Sequence, residues 1–282
     1  MRAVVLCGPG RLEVRAVPAA PVRAHEVRVR VQAVGLCGTD LHIVAGRANY
    51  NLDDSGRPIP LEVQPQILGH EITGVVEERG ASVRDLRAGD RVVIDQGRTC
   101  VSEGRHRRCE YCASGDSHQC EFYREHGITG LPGGFAEYVV VPALNAVRID
   151  SEVEPSVAAM TEPLACVLHA ANVLERTGAR YTLKGGADGG VRCAVVCGGG
   201  PAGLLFVQYL RNVLRYDGSL LVSEPDSRKR ALAERFGAEP IDPVSTDLAT
   251  AVRELTAGRR AELLIDAAGP GDVFAAIPRL IR

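Results

Sequence analysis

Residues 192–203 read RCAVVCGGGPAG, and this stretch decides the second half of the chain. An apolar run, 193–197, meets Gly198, Gly199, Gly200, Pro201, Ala202 and Gly203, a G-x-G-x-x-G, and an apolar segment of helical texture follows. Such a glycine pattern on its own is weak. With a strand before it and a helix after it, it marks a βαβ unit that binds a dinucleotide. Gly198 permits the tight turn, Gly200 lets backbone approach a pyrophosphate, and Gly203 lets helix and strand close up. The helix opening at Pro201 offers N–H donors and positive partial charge to the phosphates. The next apolar run, 220–223, ends at Glu224, the expected distance for a carboxylate that grips the adenosine ribose hydroxyls. Its charge would repel a 2′-phosphate, so NAD is expected over NADP, although Arg228 and Lys229 shortly after it pull the other way.

Outward from this turn, strand-like and helix-like segments alternate at 193–197, 202–214, 220–223, 227–236, 263–266 and 272–281, the order of βαβ units around a parallel sheet. The segment 185–190, GGADGG, reads as a connector ahead of the first of these strands. Toward the N-terminus the texture changes. Residues 26–34 (EVRVRVQAV) alternate apolar and charged, the period of a half-buried strand, and 3–6, 72–76, 91–94 and 137–141 are further short apolar runs between Gly, Pro and Asp. Residues 156–176 carry apolar side chains at helical spacing. The expected organisation is a barrel-like β domain over residues 1–160 and an α/β domain with a doubly wound parallel sheet over 161–282.

Composition fits this division. The 282 residues are 45% hydrophobic and 24% charged, enough apolar material for packed cores and too much for wholesale disorder. A formal charge of −2 gives no electrostatic support for coating nucleic acid. Arginine supplies all but two of the 33 Lys and Arg residues and is scattered along the chain. No apolar run approaches the ~18 residues that span a bilayer, and the opening MRAVVLCGPGRLEV lacks a secretory pattern. A soluble, cytoplasmic protein is therefore expected, with no membrane partner. Of nine cysteines, Cys100, Cys109, Cys112 and Cys120 crowd into one stretch, which suggests bound metal rather than disulfides. Cys7, Cys166, Cys193 and Cys197 sit in apolar segments and read as core.

A second, dispersed set of zinc-competent side chains lies at 37–42 (CGTDLH), 69–71 (GHE) and 162–165 (EPLA). With AGDRV at 88–92, GGFAEYV at 133–139, the four-cysteine lobe and the glycine turn, the chain resembles the medium-chain, zinc-dependent alcohol dehydrogenase family over nearly its whole length. The resemblance implies a GroES-like β-barrel catalytic domain followed by a Rossmann domain. It implies that Cys37 and His70 ligate a catalytic zinc, with Glu162 as third protein ligand. A glutamate there is more like the polyol, sugar and threonine dehydrogenase branches. Glu71 would be an exchanging ligand or a neighbour of the ligands, and Asp40 would orient His70. Thiolate, imidazole and carboxylate with one open position form a catalytic rather than a structural zinc site. Thr39 would take the substrate proton and pass it by way of the cofactor ribose to His42 near solvent.

Cys109-x2-Cys112-x7-Cys120 fits the family's last three structural-zinc cysteines. The first ligand has two candidates. Cys100 fits by counting forward from Arg91 and Val92, with a six-residue insertion after it, and His106 fits by counting back from Cys109. Cys100 is favoured because an all-cysteine set is the family norm and a loop insertion costs little chain entropy. The polar loop 46–62 (GRANYNLDDSGRPIPLE) carries Asn49, Asn51, Asp53 and Asp54, compatible with a polyhydroxylated substrate. The implied activity is transfer of hydride between a secondary alcohol and NAD(P). The alternatives are a threonine-type amino-alcohol dehydrogenase, a non-catalytic zinc- and dinucleotide-binding remnant, and a zinc-free quinone reductase. The resemblance also implies a homo-oligomer and further Rossmann strands beyond Arg282, so that the second domain is expected to be incomplete.

Overall fold

The computed structural model describes residues 1–150, 152–183 and 189–282 and divides them into two compact units, Met1–Glu162 and Pro163–Arg282. The division falls two residues from the expected boundary. Most of the GGADGG segment, 185–188, lies outside the described residues.

The first unit contains β1 (Arg2–Leu6), β2 (Leu12–Ala16), β3 (Glu26–Gly35), α1 (Gly38–Val44), β4 (Glu71–Arg79), β5 (Arg91–Ile94), β6 (Gly97–Arg98), α2 (Glu110–Ser114), β7 (Arg124–Glu125), β8 (Tyr138–Pro142), β9 (Ala146–Arg148) and α3 (Pro155–Ala159). Helix α4 (Thr161–Arg176) begins in it. Five strands form an antiparallel sheet in the order β8-β3-β4-β5-β9, with two-stranded ribbons β1-β2 and β6-β7 beside it. The alternating sequence of β3 does what its period demands. Val27 and Val29 are fully buried and pack with Ile72, Val76, Val92, Val139 and Val141. Two register shifts against β4, at Arg28/Val29 and Val31/Ala33, mark bulges, which sharpen the twist a sheet needs in order to curl.

The second unit continues with β10 (Cys193–Cys197), α5 (Pro201–Gln208), β11 (Ser219–Ser223), α6 (Ser227–Arg235), β12 (Glu239–Ile241), α7 (Leu248–Leu255), β13 (Leu263–Asp266) and α8 (Gly271–Leu280). Its four strands are parallel, in the order β12-β11-β10-β13. All five residues of β10 are buried, and alternate ones feed opposite cores. Ala194 and Val196 pack with Val167, Val207 and Leu220, whereas Cys193, Val195 and Cys197 pack with Ala249, Val252 and Leu280. That is why the strand reads as a continuous apolar run: both faces are covered by helices. Burial pushes the Cys193 and Cys197 thiols up to about 11, so both are inert core groups, as expected.

Two expectations need correction. Cys166 is exposed, because α4 buries only Val167 and Ala171 while Cys166 points elsewhere on the helix. The stretch Pro155–Arg176 is also long and apolar enough to cross a membrane by length and composition. It is not a continuous apolar run, because Thr161, Glu162, His169 and Asn172 interrupt it. In this fold it lays Val167 and Ala171 on the core of the second unit.

Gly203 sits where helix α5 meets the end of β10. A Cβ on it would stand 1.9 Å from the carbonyl oxygen of Gly198, a backbone atom with nowhere to go. Gly203→Ala is therefore expected to lower unfolding stability by about 1–3 kcal/mol, the usual cost of forcing volume into a packed interior. Urea unfolding checks this, and an unchanged midpoint would show that the turn yields at no cost.

Candidate metal centres and cofactor turn

Cys37 caps helix α1 in an extended conformation, and its N–H donates to Asp40 Oδ2 at 2.9 Å. The other carboxylate oxygen of Asp40 accepts the Gly69 N–H at 3.1 Å and stands 3.6 Å from His70 Nδ1. Asp40 is 1% exposed, so one buried carboxylate ties the CGTDLH helix to the GHE turn that opens β4. The ligand atoms of Cys37, His70 and Glu71 all lie within 4.8 Å of one another. Glu71 reaches this place by folding over Gly35, where a Cβ would fall 1.8 Å from Glu71 Oε2.

A thiol, an imidazole and a carboxylate so close together form a donor set for a cation with affinity for N, S and O ligands, and zinc fits it. The electrostatics agree. His70 hydrogen bonding pulls the Cys37 thiol below its ordinary value, against burial, and the Thr39 N–H and hydroxyl add to the pull. Burial alone would lower His70, but the facing Asp40 carboxylate and Cys37 sulfur override it and raise the imidazole to about 10. In the metal-free chain a proton thus takes the place a cation would fill. Burial pushes the Glu71 carboxyl upward, with His70 opposing.

Glu162 is not brought into this group. Its Oε1 accepts from Gln96 Nε2 at 2.9 Å, and the carboxylate found beside Cys37 and His70 is Glu71 instead. Burial pushes the Glu162 carboxyl upward, with the His70 charge opposing and the Glu71 charge adding to it. Gln96 also bonds Glu125, so one amide serves two carboxylates, while Glu71, next to His70, is seated by Gly35. Thr39 and His42 stand three residues apart on α1, hence on one side of it, with His42 exposed.

The four-cysteine lobe is unambiguous. The sulfurs of Cys100, Cys109, Cys112 and Cys120 lie within 4.8 Å of one another, with Cys109–Cys120 at 3.8 Å and Cys100–Cys120 at 3.6 Å. A tetrahedron with Zn–S of ~2.3 Å has edges of about 3.8 Å. Cys120 Sγ also accepts the N–H groups of Cys100 and Phe122, each at 3.4 Å, and the N–H of Cys112 leads the influences that bring Cys109 down to about 7. His106 is exposed in the inserted loop and takes no part. That loop is held by its own turns and by Arg105, which stacks 4.1 Å above the Phe122 ring.

In the second unit, Gly198 takes a left-handed φ of +99° and Gly200 caps helix α5 with open space where a Cβ would be, the room a pyrophosphate needs. Pro201 opens the helix as expected. Glu224, 5% exposed at the end of β11, accepts the Gly199 N–H at 2.7 Å and the Asp226 N–H at 2.9 Å. Arg228 is occupied by the Asp226 side chain at 3.0 Å. The polar loop after α1 is largely self-tied. Asn49 donates to the Ile59 carbonyl at 2.8 Å, Asp53 Oδ1 accepts from Ser55 and Arg57, and Asn51 is buried, while Asp54 is exposed. Nothing in the sequence singled out Gln96 or Gly35. The only signal for Gly35 was its place two residues before Cys37.

Residues 23–151 match the alcohol dehydrogenase GroES-like domain. The chain is 32% identical over 260 residues to the L-threonine 3-dehydrogenase of Anaeromyxobacter sp. (strain Fw109-5), covering 91% of this chain and 66% of that one. It is 31% identical over 247 residues to the 2-dehydro-3-deoxy-L-galactonate 5-dehydrogenase of Pseudoalteromonas atlantica, covering 88% and 63%. Among solved structures, a zinc-binding dehydrogenase from Sinorhizobium meliloti 1021 bound to NADP superposes with a TM-score of 0.79 at 31% identity, over 100% of this chain and 73% of that one. The chain thus spans just under two thirds of the length of the curated relatives.

Two outcomes follow from the metal geometry. Cys100→Ala is expected to remove one equivalent of bound zinc and His106→Ala none, read by metal analysis of the purified chains; the reverse pattern would contradict the four-sulfur site. At the Cys37 group, His70 in the metal-free chain keeps its proton up to about 10. Zinc must displace that proton, so zinc affinity at this group should rise with pH by about tenfold per unit from His70 below that value. Zinc titrations between pH 6.5 and 8.5, with Cys37→Ser as the blank, test this, and a flat profile would remove His70 from the ligand set.

Proposed function

Because the chain belongs to the medium-chain, zinc-dependent alcohol dehydrogenase family, we propose that it acts as an oxidoreductase moving hydride between a secondary alcohol and NAD. The observation that carries this reading is the Cys37–His70–Glu71 group in one chain with the Gly198–Gly200–Gly203 turn and its Glu224. At such a site zinc would supply Lewis acidity toward a substrate oxygen, and the nicotinamide a hydride acceptor. The chain's own residues do the rest. Cys37, His70 and Glu71 would hold the metal, and Asp40 fixes the first two of them. Thr39, whose hydroxyl reaches the Cys37 sulfur, is placed to receive the proton of the substrate alcohol, and exposed His42 provides its exit to water.

Glu224 supports NAD over NADP. Its buried carboxylate is held at the turn by the Gly199 N–H, and Arg228, the residue that could welcome a 2′-phosphate, is paired with Asp226. The NADP in the Sinorhizobium structure makes the second cofactor the alternative. For the substrate, a polyol, sugar or cyclitol remains the first reading, supported by the galactonate dehydrogenase relative. The threonine dehydrogenase relatives favour an amino alcohol as the second. The loop 46–62 carries less weight than its composition suggested, since Asn49 and Asp53 spend their polar groups within it.

A panel of polyols, sugars, cyclitols, threonine and simple primary alcohols with NAD distinguishes these readings. Oxidation of secondary alcohols is expected, and turnover confined to primary alcohols would refute the proposal. Thr39→Val should lower kcat by about 10²–10⁴-fold, the range for loss of a positioned proton acceptor, with zinc content unchanged. Glu224→Ala should move the NADP/NAD preference toward NADP by at least about tenfold, since a like-charge clash is removed.

A further inference from the structure

The turns that lead into β10 and β13 meet at the amino ends of these two strands, the end of the sheet opposite the glycine turn. Thr182 donates its N–H to the Gly189 carbonyl at 3.0 Å and accepts the Val191 N–H at 3.1 Å, which brings Arg180 and Tyr181 beside Arg192. Arg282 donates its N–H to the Ala261 carbonyl at 3.2 Å and so stands beside Glu262. The result is a hollow of about 270 Å³ walled by Arg180, Arg192, Arg259 and Arg282, with Tyr181 and Glu262 among them.

Glu262 is the one carboxylate in this wall, and its hydrogen bonds are already given to backbone. Its side chain is 3% exposed, and Oε2 accepts the N–H groups of Arg192 at 3.2 Å and Cys193 at 3.0 Å. Oε1 lies 3.7 Å from Arg282 Nη1 and 4.0 Å from Arg259 Nη2. Both distances exceed the ~2.7–2.9 Å of a charge-assisted hydrogen bond. Arg180 has no carboxylate partner among the described residues, and its guanidinium and that of Arg282 lie over the Tyr181 ring, 5.9 and 5.8 Å from its centre. Such ring contacts place a cation without consuming its N–H groups. Guanidinium groups only donate, and several of them around one hollow repel one another until an anion joins them.

We propose that this hollow is an anion site that binds a phosphate group, either the free ion or the phosphate of a small metabolite. Phosphate carries about two charges near neutral pH and spreads its acceptor oxygens in several directions, so more than one guanidinium can hold it at once. A carboxylate offers one charge and two oxygens. The site is distinct from the dinucleotide turn, since the five residues of β10 put about 15 Å of strand between them.

Calorimetric titration of the chain with inorganic phosphate, at an ionic strength held constant with chloride, tests this. Saturable binding is expected, unchanged by saturating NAD, with an unfolding midpoint that rises as phosphate is added. Arg180→Gln and Arg259→Gln should each weaken the binding by about tenfold, the scale for losing one charged hydrogen-bonding partner. Arg180→Gln breaks no ion pair among the described residues, so it serves if Arg259→Gln does not fold. Titration with glycerol 3-phosphate separates the two sources: tighter binding than inorganic phosphate points to a phosphorylated metabolite, weaker binding to the free ion, and either supports the site. No saturable binding beyond the chloride control would overturn the proposal. So would displacement of phosphate by NAD, which would put the ion at the glycine turn, or an affinity that both arginine variants leave unchanged.

Discussion

The metal end of the first unit depends on a single buried carboxylate. Asp40 is sealed from solvent, and a carboxylate so placed must be answered by donors or it costs several kcal/mol. It is answered by the N–H groups of Cys37 and Gly69 and by the facing edge of His70. Those three groups come from two distant segments, so satisfying one charge fixes the distance between α1 and the start of β4. The Cys37 sulfur, the His70 ring and the Glu71 carboxylate converge on the backbone that Asp40 holds together.

The second unit obeys a different rule. Its centre is β10, buried on both faces, and the two cores lie on opposite faces of the sheet, fed by alternate residues of β10, β11 and β13. The glycine turn is continuous with it, and the parallel neighbours β11 and β13 hold the strand in register on either side. The cofactor end of the molecule is therefore built from local chain geometry, whereas the metal end is built from contacts between segments far apart in sequence.

This difference explains what could be read in advance. The glycine turn, Glu224, the β strands 26–34 and 91–94 and the helix after 156 were legible, because each is a local pattern with a local consequence. Cys37 and His70 were legible only through the order of the motifs, and Cys100 over His106 only through the family's ligand habit. Gln96, which donates to Glu162, lies in a segment with no periodicity or motif of its own, so its place beside the site was not legible. Cys166 lies beside the polar stripe that Glu162, His169, Asn172 and Arg176 make on α4, away from the face that buries Val167 and Ala171, and its apolar neighbours in sequence hid this. The polar loop 46–62 looked substrate-directed by composition, yet Asx-type bonds within it consume Asn49 and Asp53. Composition does not reveal whether a polar group is already spoken for.

The long first step of the cysteine lobe has a consequence for how that lobe assembles. Cys109 and Cys112 are three residues apart and flank the first turn of α2, so these two sulfurs gather with little chain ordering, whereas Cys120 follows eight residues on. Cys100 must close a span of nine residues to reach them. Closing nine residues instead of three costs about 1 kcal/mol more in chain entropy. The Cys109–Cys112 pair is therefore the part of the lobe that the local chain alone brings together. Cys120 and Cys100 each add a closure of nearly equal cost, eight and nine residues on either side of that pair, and Cys100, two residues past β6, makes the β6-β7 ribbon share in the second of them.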